Sequence, residues 1–176
     1  MAGLRTMSAP VIEPAKKDDL PALKVMIEGA YRGDHARLGW THEADIVQGE
    51  RITVREVVEL FLDPDIAIFV ARSGEDIVGC VSVTDKGDGR AYIGLLCVDP
   101  PFQSSGLGSR LLTTAERLCT ALEVEKMEMT VIEDREPLIA WYERAGYERS
   151  GERRPFPVPQ EKPLFFVVLE KTPPSA

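Results

Sequence analysis

Histidine is almost missing from this chain: His35 and His42 are the only two in 176 residues. Cysteine is nearly as scarce, and Cys80, Cys97 and Cys119 make neither an even set nor a Cys-x-x-Cys pair. That pattern excludes a zinc cage and a disulfide framework and points to a reducing compartment. No run of about 18 apolar residues occurs, so no transmembrane helix is expected. The opening stretch from Met1 to Ser8 lacks the apolar core of a secretory signal. The expectation is therefore a cytoplasmic protein, off the membrane and without a metal. Positive charge is in deficit, 21 Lys and Arg against 29 Asp and Glu, a net −8. Phosphate backbones would repel such a chain, so nucleic acid is not its expected partner.

What remains fits one globular domain of ordinary composition, 44% hydrophobic and 28% charged, long enough to bury roughly 70% of its unfolded surface. The acidic excess is uneven. Residues 28–65 hold nine acids against Arg32, Arg37, Arg51 and Arg55, a local −5. Such a cluster reads either as a solvated face or as a funnel for a cationic substrate.

Periodicity gives the element order. Val11 to Glu13 reads as a short strand, and Leu20 to Tyr31 as a helix with Leu20, Leu23 and Ile27 on one face. Arg32 to Ile52 has no clear period, and a connection of that length is usually functional or mobile. Thr53 and Glu56 form a capping box for a helix to about Leu62, stopped at Asp63-Pro64. Ile66 to Ala71, Ile77 to Thr84 and Arg90 to Val98 read as strands joined by turns at Gly74 and at Gly87-Asp88-Gly89. Leu107, Leu111, Ala115, Leu118 and Leu122 mark one helix face. Met127 to Ile132 is a strand. A helix opens at Pro137 and ends at Gly146. Tyr147 to Arg153 and Leu164 to Glu170 supply the last strands. The order β-α-α-β-β-β-α-β-α-β-β indicates a mixed α/β (α+β) sheet covered by helices. Residues 1–10 are expected to be a flexible lead, 11–171 the domain and 172–176 a tail.

The run Val98-Asp99-Pro100-Pro101-Phe102-Gln103-Ser104-Ser105-Gly106-Leu107-Gly108-Ser109 carries the chemistry. It joins an apolar strand to a helix start through a glycine turn. Unpaired N–H groups and the helix dipole there attract phosphate oxygens, and glycine lets the backbone approach them. A P-loop would need Gly-Lys-Ser/Thr, and a dinucleotide fingerprint would need a third glycine where Leu111 stands; both fail.

With Val98-x-Pro100 followed by Gln103-x-x-Gly106-x-Gly108, and with Trp141-Tyr142-Glu143-Arg144-Ala145-Gly146-Tyr147 further on, the chain resembles the GNAT acetyltransferase superfamily from about Val11 to Lys171. The resemblance implies a single, mostly antiparallel sheet of six to seven strands, splayed at its centre and flanked by about four helices. It implies acetyl-CoA as cosubstrate. The main chain of Leu96, Cys97 and Val98 would pair with the pantetheine arm, and Gln103, Ser104, Ser105, Gly106, Leu107, Gly108 and Ser109 would hold the pyrophosphate. Tyr142 would be the general acid beside the thioester sulfur.

Elementary chemistry agrees: amine attack on a thioester builds an oxyanion that a free strand N–H stabilises, and a hydroxyl eases departure of the thiolate. Two family positions differ. A glutamate base on the strand after the loop helix is Thr130 here, and an asparagine seven residues before the tyrosine is Arg135. The base is thus open among a water chain, Glu28, Glu43, His35 and His42. A covalent acyl-Cys97 route is a weaker rival, since a strand cysteine is usually core.

The resemblance also implies that the first two helices and their connection wall the acceptor pocket, with Tyr31, Trp40, His42 and Glu43 as substrate contacts. Trp40 reads as a cation–π wall or a core plug, and Glu43 or Asp45 as an ammonium anchor. The expected activity is acetyl transfer to a primary amine of a small molecule by a monomer or homodimer. Transfer to a protein N-terminus or lysine, and a CoA-binding module without turnover, are the alternatives.

Overall fold

The computed structural model describes residues 8–40, 43–47 and 49–175. Residues 1–7, most of the expected lead, lie outside them, as does Ala176. Seven strands form one sheet: β1 Val11–Pro14, β2 Ile66–Ser73, β3 Asp76–Asp85, β4 Arg90–Val98, β5 Lys126–Ile132, β6 Glu148–Pro155 and β7 Phe165–Lys171. Their spatial order is β1-β2-β3-β4-β5-β7-β6. Every neighbouring pair is antiparallel except β4–β5, which is parallel. The helices are α1 Leu20–Tyr31, α2 Gly33–Ala36, α3 Val54–Leu62, α4 Leu107–Ala121 and α5 Glu136–Arg144. The single turn α2 falls within the stretch that periodicity leaves unassigned. A four-residue helix has no room for a hydrophobic period, so only its surroundings reveal it.

Local chemistry explains most boundaries. The Thr53 hydroxyl accepts from Glu56 N at 3.2 Å and the Glu56 carboxylate accepts from Thr53 N at 2.7 Å, closing the expected capping box at α3. Gly74 takes φ 63° in the two-residue turn between β2 and β3, which an L side chain resists.

The sheet is covered on both faces, so β3 is buried along most of its length. One face packs Leu20, Leu23, Ile27 and Val57 of α1 and α3 against Ile68, Val70 and Cys80. The other packs Leu111, Ala115 and Cys119 of α4 and Ile139 and Tyr142 of α5 against Val81, Val83 and Met129. Edge strand β6 is almost wholly exposed and carries Arg149, Arg153 and Arg154, charges that discourage pairing with another chain.

The break in the sheet positions the site. β4 pairs with β5 only over Arg90–Tyr92 against Lys126–Glu128. On its other side β4 slips register against β3 between Cys80 and Ser82. The slip coincides with Leu95 at φ 49°, a left-handed conformation that costs a non-glycine residue of order 1–2 kcal/mol. Gly94 makes the bend possible, since a Cβ there would stand 3.0 Å from Tyr92 Cε1 and 3.1 Å from Ser82 Oγ. Beyond Tyr92, β4 is no longer paired with β5, as expected from the resemblance, while it pairs again with β3 at Cys97 and Val98.

Candidate active site

A cavity of about 360 Å³ occupies the gap between β4 and β5. Its walls are the freed edges of those strands, the loop before α4, the start of α5 and the segment after α1. One bridge crosses its floor: the hydroxyls of Tyr92 on β4 and Thr130 on β5 lie 2.7 Å apart.

Gly106 caps α4 at φ 84°, a conformation suited to glycine, and nothing lies within 4 Å of where its Cβ would be. The first intrahelical bond of α4 is Arg110 N to Gly106 O, at 3.1 Å. The six N–H groups from Ser104 to Ser109 find no acceptor among the described residues. An open turn with unspent donors at the positive end of a 15-residue helix suits an anion such as pyrophosphate. Gln103, Ser104, Gly106, Gly108 and Ser109 line the cavity. Two loop residues expected with them do not. Leu107 is fully buried and packs into the core, because it is the first apolar position of the α4 stripe. The Ser105 side chain turns back to donate to Phe102 O. Only their main chains remain for a ligand.

Gln103 has a second task. Its amide donates to Val98 O at 2.9 Å and accepts from Trp40 N at 2.9 Å, tying the end of β4 to the segment after α2. Across the cavity mouth, Tyr31 donates to Leu96 O at 2.6 Å. Burial pushes the Tyr31 phenol well above the usual tyrosine range. Leu96, Cys97 and Val98 all line the cavity. The Cys97 thiol points the other way, 3.6 Å from Cys80 Sγ and 3.8 Å from Met26 Sδ in the opposite core. That orientation leaves the acyl-cysteine rival without an exposed nucleophile.

Tyr142 is buried on α5, with its ring edge-on to Trp141 at 4.9 Å and to Tyr147 at 6.0 Å. Burial raises its ionisation well above the ordinary range of tyrosine, against the opposing charge of Arg135. Tyr142 lines the cavity, and its hydroxyl has no hydrogen-bond partner among the described residues. It keeps its proton at neutral pH and is free to donate it.

The acceptor side differs most from expectation. Trp40 lines the mouth and is 44% exposed, so it is no core plug. Glu43 also lines the cavity, but it is 7% exposed and its carboxylate is shared. Oε2 accepts from Arg32 Nη2 at 3.0 Å and Oε1 from Arg135 Nη1 at 3.2 Å. A carboxylate already held by two guanidiniums is a poor ammonium anchor. Asp45 pairs with Arg37 at 3.1 Å outside the cavity, and His35 pairs with Asp99 at 2.7 Å. His42 lies outside the described residues. The other acids of residues 28–65 mostly serve caps and surface pairs: Glu50 with Lys24, Glu59 with Arg55, and Glu56 with Thr53. Among the described residues these acids thus form mainly a solvated face, and of them Glu43 alone lines the cavity.

Sequence reasoning missed Arg51, which lines the cavity with its guanidinium 5.0 Å from the centre of the Tyr31 ring. It sits in a patternless stretch whose net charge has the opposite sign, so no local signal marks it. Tyr92 was missed for a simpler reason: on an alternating strand it reads as ordinary core.

Comparison with known proteins follows the same lines. The model of the acetyltransferase (GNAT) family matches residues 32–147, more than half of the chain. Among solved structures, the ribosomal-protein-S18-alanine N-acetyltransferase of Escherichia coli superposes with a TM-score of 0.73 at 16% identity, covering 95% of this chain and 96% of that one. An N-acetyltransferase from Staphylococcus aureus Mu50 gives 0.73 at 16% identity, with 94% and 99% covered. A ribosomal-protein-alanine N-acetyltransferase from Brucella melitensis gives 0.72 at 17%, with 92% and 99% covered. At such identities these likenesses speak for the fold.

Proposed function

Since the chain belongs to the GNAT acetyltransferase family and is thereby an acyltransferase, we propose that it transfers an acetyl group from acetyl-CoA to a primary amine of a small molecule, by direct attack in a ternary complex. One observation carries the reading: a single cavity joins the freed edge of β4, the unspent N–H groups before α4 and the unpartnered Tyr142 hydroxyl.

The residues present fit acetyl-CoA. The N–H groups from Ser104 to Ser109 would hold its pyrophosphate, and the main chain of Leu96 to Val98 its pantetheine arm. Bound there, acetyl-CoA supplies an acetyl group activated as a thioester. Donors on the freed edge of β4 stabilise negative charge developing on a carbonyl oxygen, in a site where no sheet partner competes for them. Tyr142 donates its proton to a departing thiolate, whose acid has a pKa of about 8–9, and the proton that the attacking nitrogen sheds as the amide forms restores the phenol. The lining holds no histidine among the described residues, and Glu43, its one carboxylate, is spent on Arg32 and Arg135. The amine therefore gives its proton to solvent before attack. For an alkyl ammonium of pKa about 10.4, that costs about 4.6 kcal/mol at pH 7.

Thiol release from acetyl-CoA, scored across small amines and across peptides with free N-termini or lysines, tests the proposal. Turnover of small amines with little on peptides is the expected result. The reverse preference moves the acceptor to protein, and no release with any acceptor leaves a CoA-binding module.

A further inference from the structure

We propose that Arg51 is a carboxylate anchor in the acceptor subsite, so that the amine acetylated also carries a carboxylate, as an amino acid does. The inference rests on the acetyltransferase reading for the amine and on the charge arrangement of the cavity for the acid.

Arg51 is only partly exposed and lines the cavity, yet no carboxylate or carbonyl accepts from its guanidinium among the described residues. The chain's other described arginines behave differently. Arg32, Arg37, Arg55, Arg72, Arg90, Arg135, Arg149, Arg153 and Arg154 have carboxylate partners. Arg110 donates to a carbonyl, and Arg117 and Arg144 project into solvent. The face of the Tyr31 ring and the charge of Glu43 favour the Arg51 cation, but neither accepts a hydrogen bond from it, so its N–H groups remain for an anionic ligand.

Nearby acids do not fill the role. Glu43 is held by Arg32 and Arg135, Glu28 accepts from Ile52 N at 2.7 Å, and Glu56 accepts from Thr53 N at 2.7 Å. The uncommitted charge of the cavity is therefore positive, although the protein as a whole is strongly negative. A single planar guanidinium matches a monoanionic carboxylate through two parallel hydrogen bonds. A phosphate dianion would leave an excess charge, because the other lining cation, Arg135, already serves Glu43.

The placement also suits the chemistry. Arg51 and Tyr142 both line this one cavity, so the anchor and the proton donor face a common space. A positive wall disfavours the ammonium form of a bound amine and favours the free base that attacks. The same wall repels diamines and polyamines.

The test has two arms. In the first, wild type, Arg51→Lys and Arg51→Gln, each checked for an unchanged circular dichroism spectrum, are assayed by thiol release. The acceptors are the common α-amino acids, β-alanine and 4-aminobutyrate, each beside the amine that lacks its carboxylate. The wild type should prefer acids, and Arg51→Gln should shrink the acid-to-amine ratio of kcat/KM by about 10²-fold or more, with partial retention in Arg51→Lys. Equal use of acids and amines, or a ratio unmoved in Arg51→Gln, overturns the proposal. The second arm needs no acetyl-CoA: thermal stabilisation by N-acetylamino acids is compared with that by neutral N-acetylamines. Stabilisation by the acids alone, lost in Arg51→Gln, supports the anchor even if the transfer reading falls. Equal stabilisation by both overturns the anchor even if acetyl-CoA binds.

Discussion

Glu43 and Arg135 meet across 92 residues of chain, Oε1 to Nη1 at 3.2 Å, and with Arg32 on the other oxygen they lock the acceptor wall to the start of α5. The contact joins a segment of weak local preference to a helix of the main core, at the rim of the cavity. Glu43 thus acts as a brace.

Removing a buried carboxylate that two guanidiniums share strands positive charge in the interior, a loss of about 3–5 kcal/mol. For a chain of this size the melting temperature of Glu43→Gln should fall by roughly 6–20 °C. Differential scanning calorimetry checks this. A melting temperature within 2 °C of wild type would make the pair incidental.

The turn before α4 predicts a cofactor effect on stability. Acetyl-CoA at about 100 times its dissociation constant should stabilise the fold by roughly 2.7 kcal/mol, a rise of about 5–10 °C. Gly108→Glu should abolish that rise by placing a carboxylate among the phosphate-binding donors. The variant should still fold, because a Cβ at Gly108 meets Trp141 at 3.6 Å, an ordinary contact. Thermal shifts of the two proteins, with and without acetyl-CoA, are the measurement.

Tyr142→Phe removes one hydroxyl from a site where it bonds to nothing in the described protein. Acetyl-CoA should bind nearly as well, while turnover drops by about 10²-fold or more. With no uncommitted base among the described residues of the cavity wall, wild-type kcat/KM should climb tenfold per pH unit up to the acceptor's own pKa. The raised ionisation of Tyr142 puts the opposing limb above the ordinary tyrosine range. Wild-type turnover in the phenylalanine variant would assign the proton to water.

Alkaline pH should unfold the protein in a predictable direction. Burial raises the ionisation of Tyr31, Tyr142 and Tyr147 in the folded state. From about pH 10 the unfolded chain loses phenolic protons that the folded chain retains, so stability falls as pH rises. Their contribution is whole below pH 10. Tyrosine absorbance at 295 nm should therefore rise together with the loss of circular dichroism. Phenolate appearing well before unfolding would contradict the burial.

The thiols should be inert. Cys80, Cys97 and Cys119 are all buried, and burial with the charge of Glu116 pushes Cys119 up to about 11. Ellman's reagent at pH 8 should label none in the native protein and all three in denaturant. Rapid native labelling of Cys97 would revive the acyl-cysteine route.

Much of this protein is decided by sequence alone. Apolar periodicity, the Thr53–Glu56 box and the turn glycines determine the strands and long helices, because each depends on neighbours within a few residues. The Gln103 to Gly108 turn and the Trp141 to Tyr147 block likewise identify the family from contiguous residues. Charge, by contrast, is a sum along the chain, and a sum does not say which groups meet. Residues 28–65 carry −5, and yet tertiary structure spends Glu43 on Arg32 and Arg135 and leaves Arg51, among the described residues of the cavity wall, as the ion with no hydrogen-bonded counter-ion. Arg135 comes to Glu43 from 92 residues away, and Tyr31 reaches Leu96 across 65. Such pairings follow from how α1, the freed edge of β4 and the start of α5 converge on the splay, and only the folded chain sets that convergence.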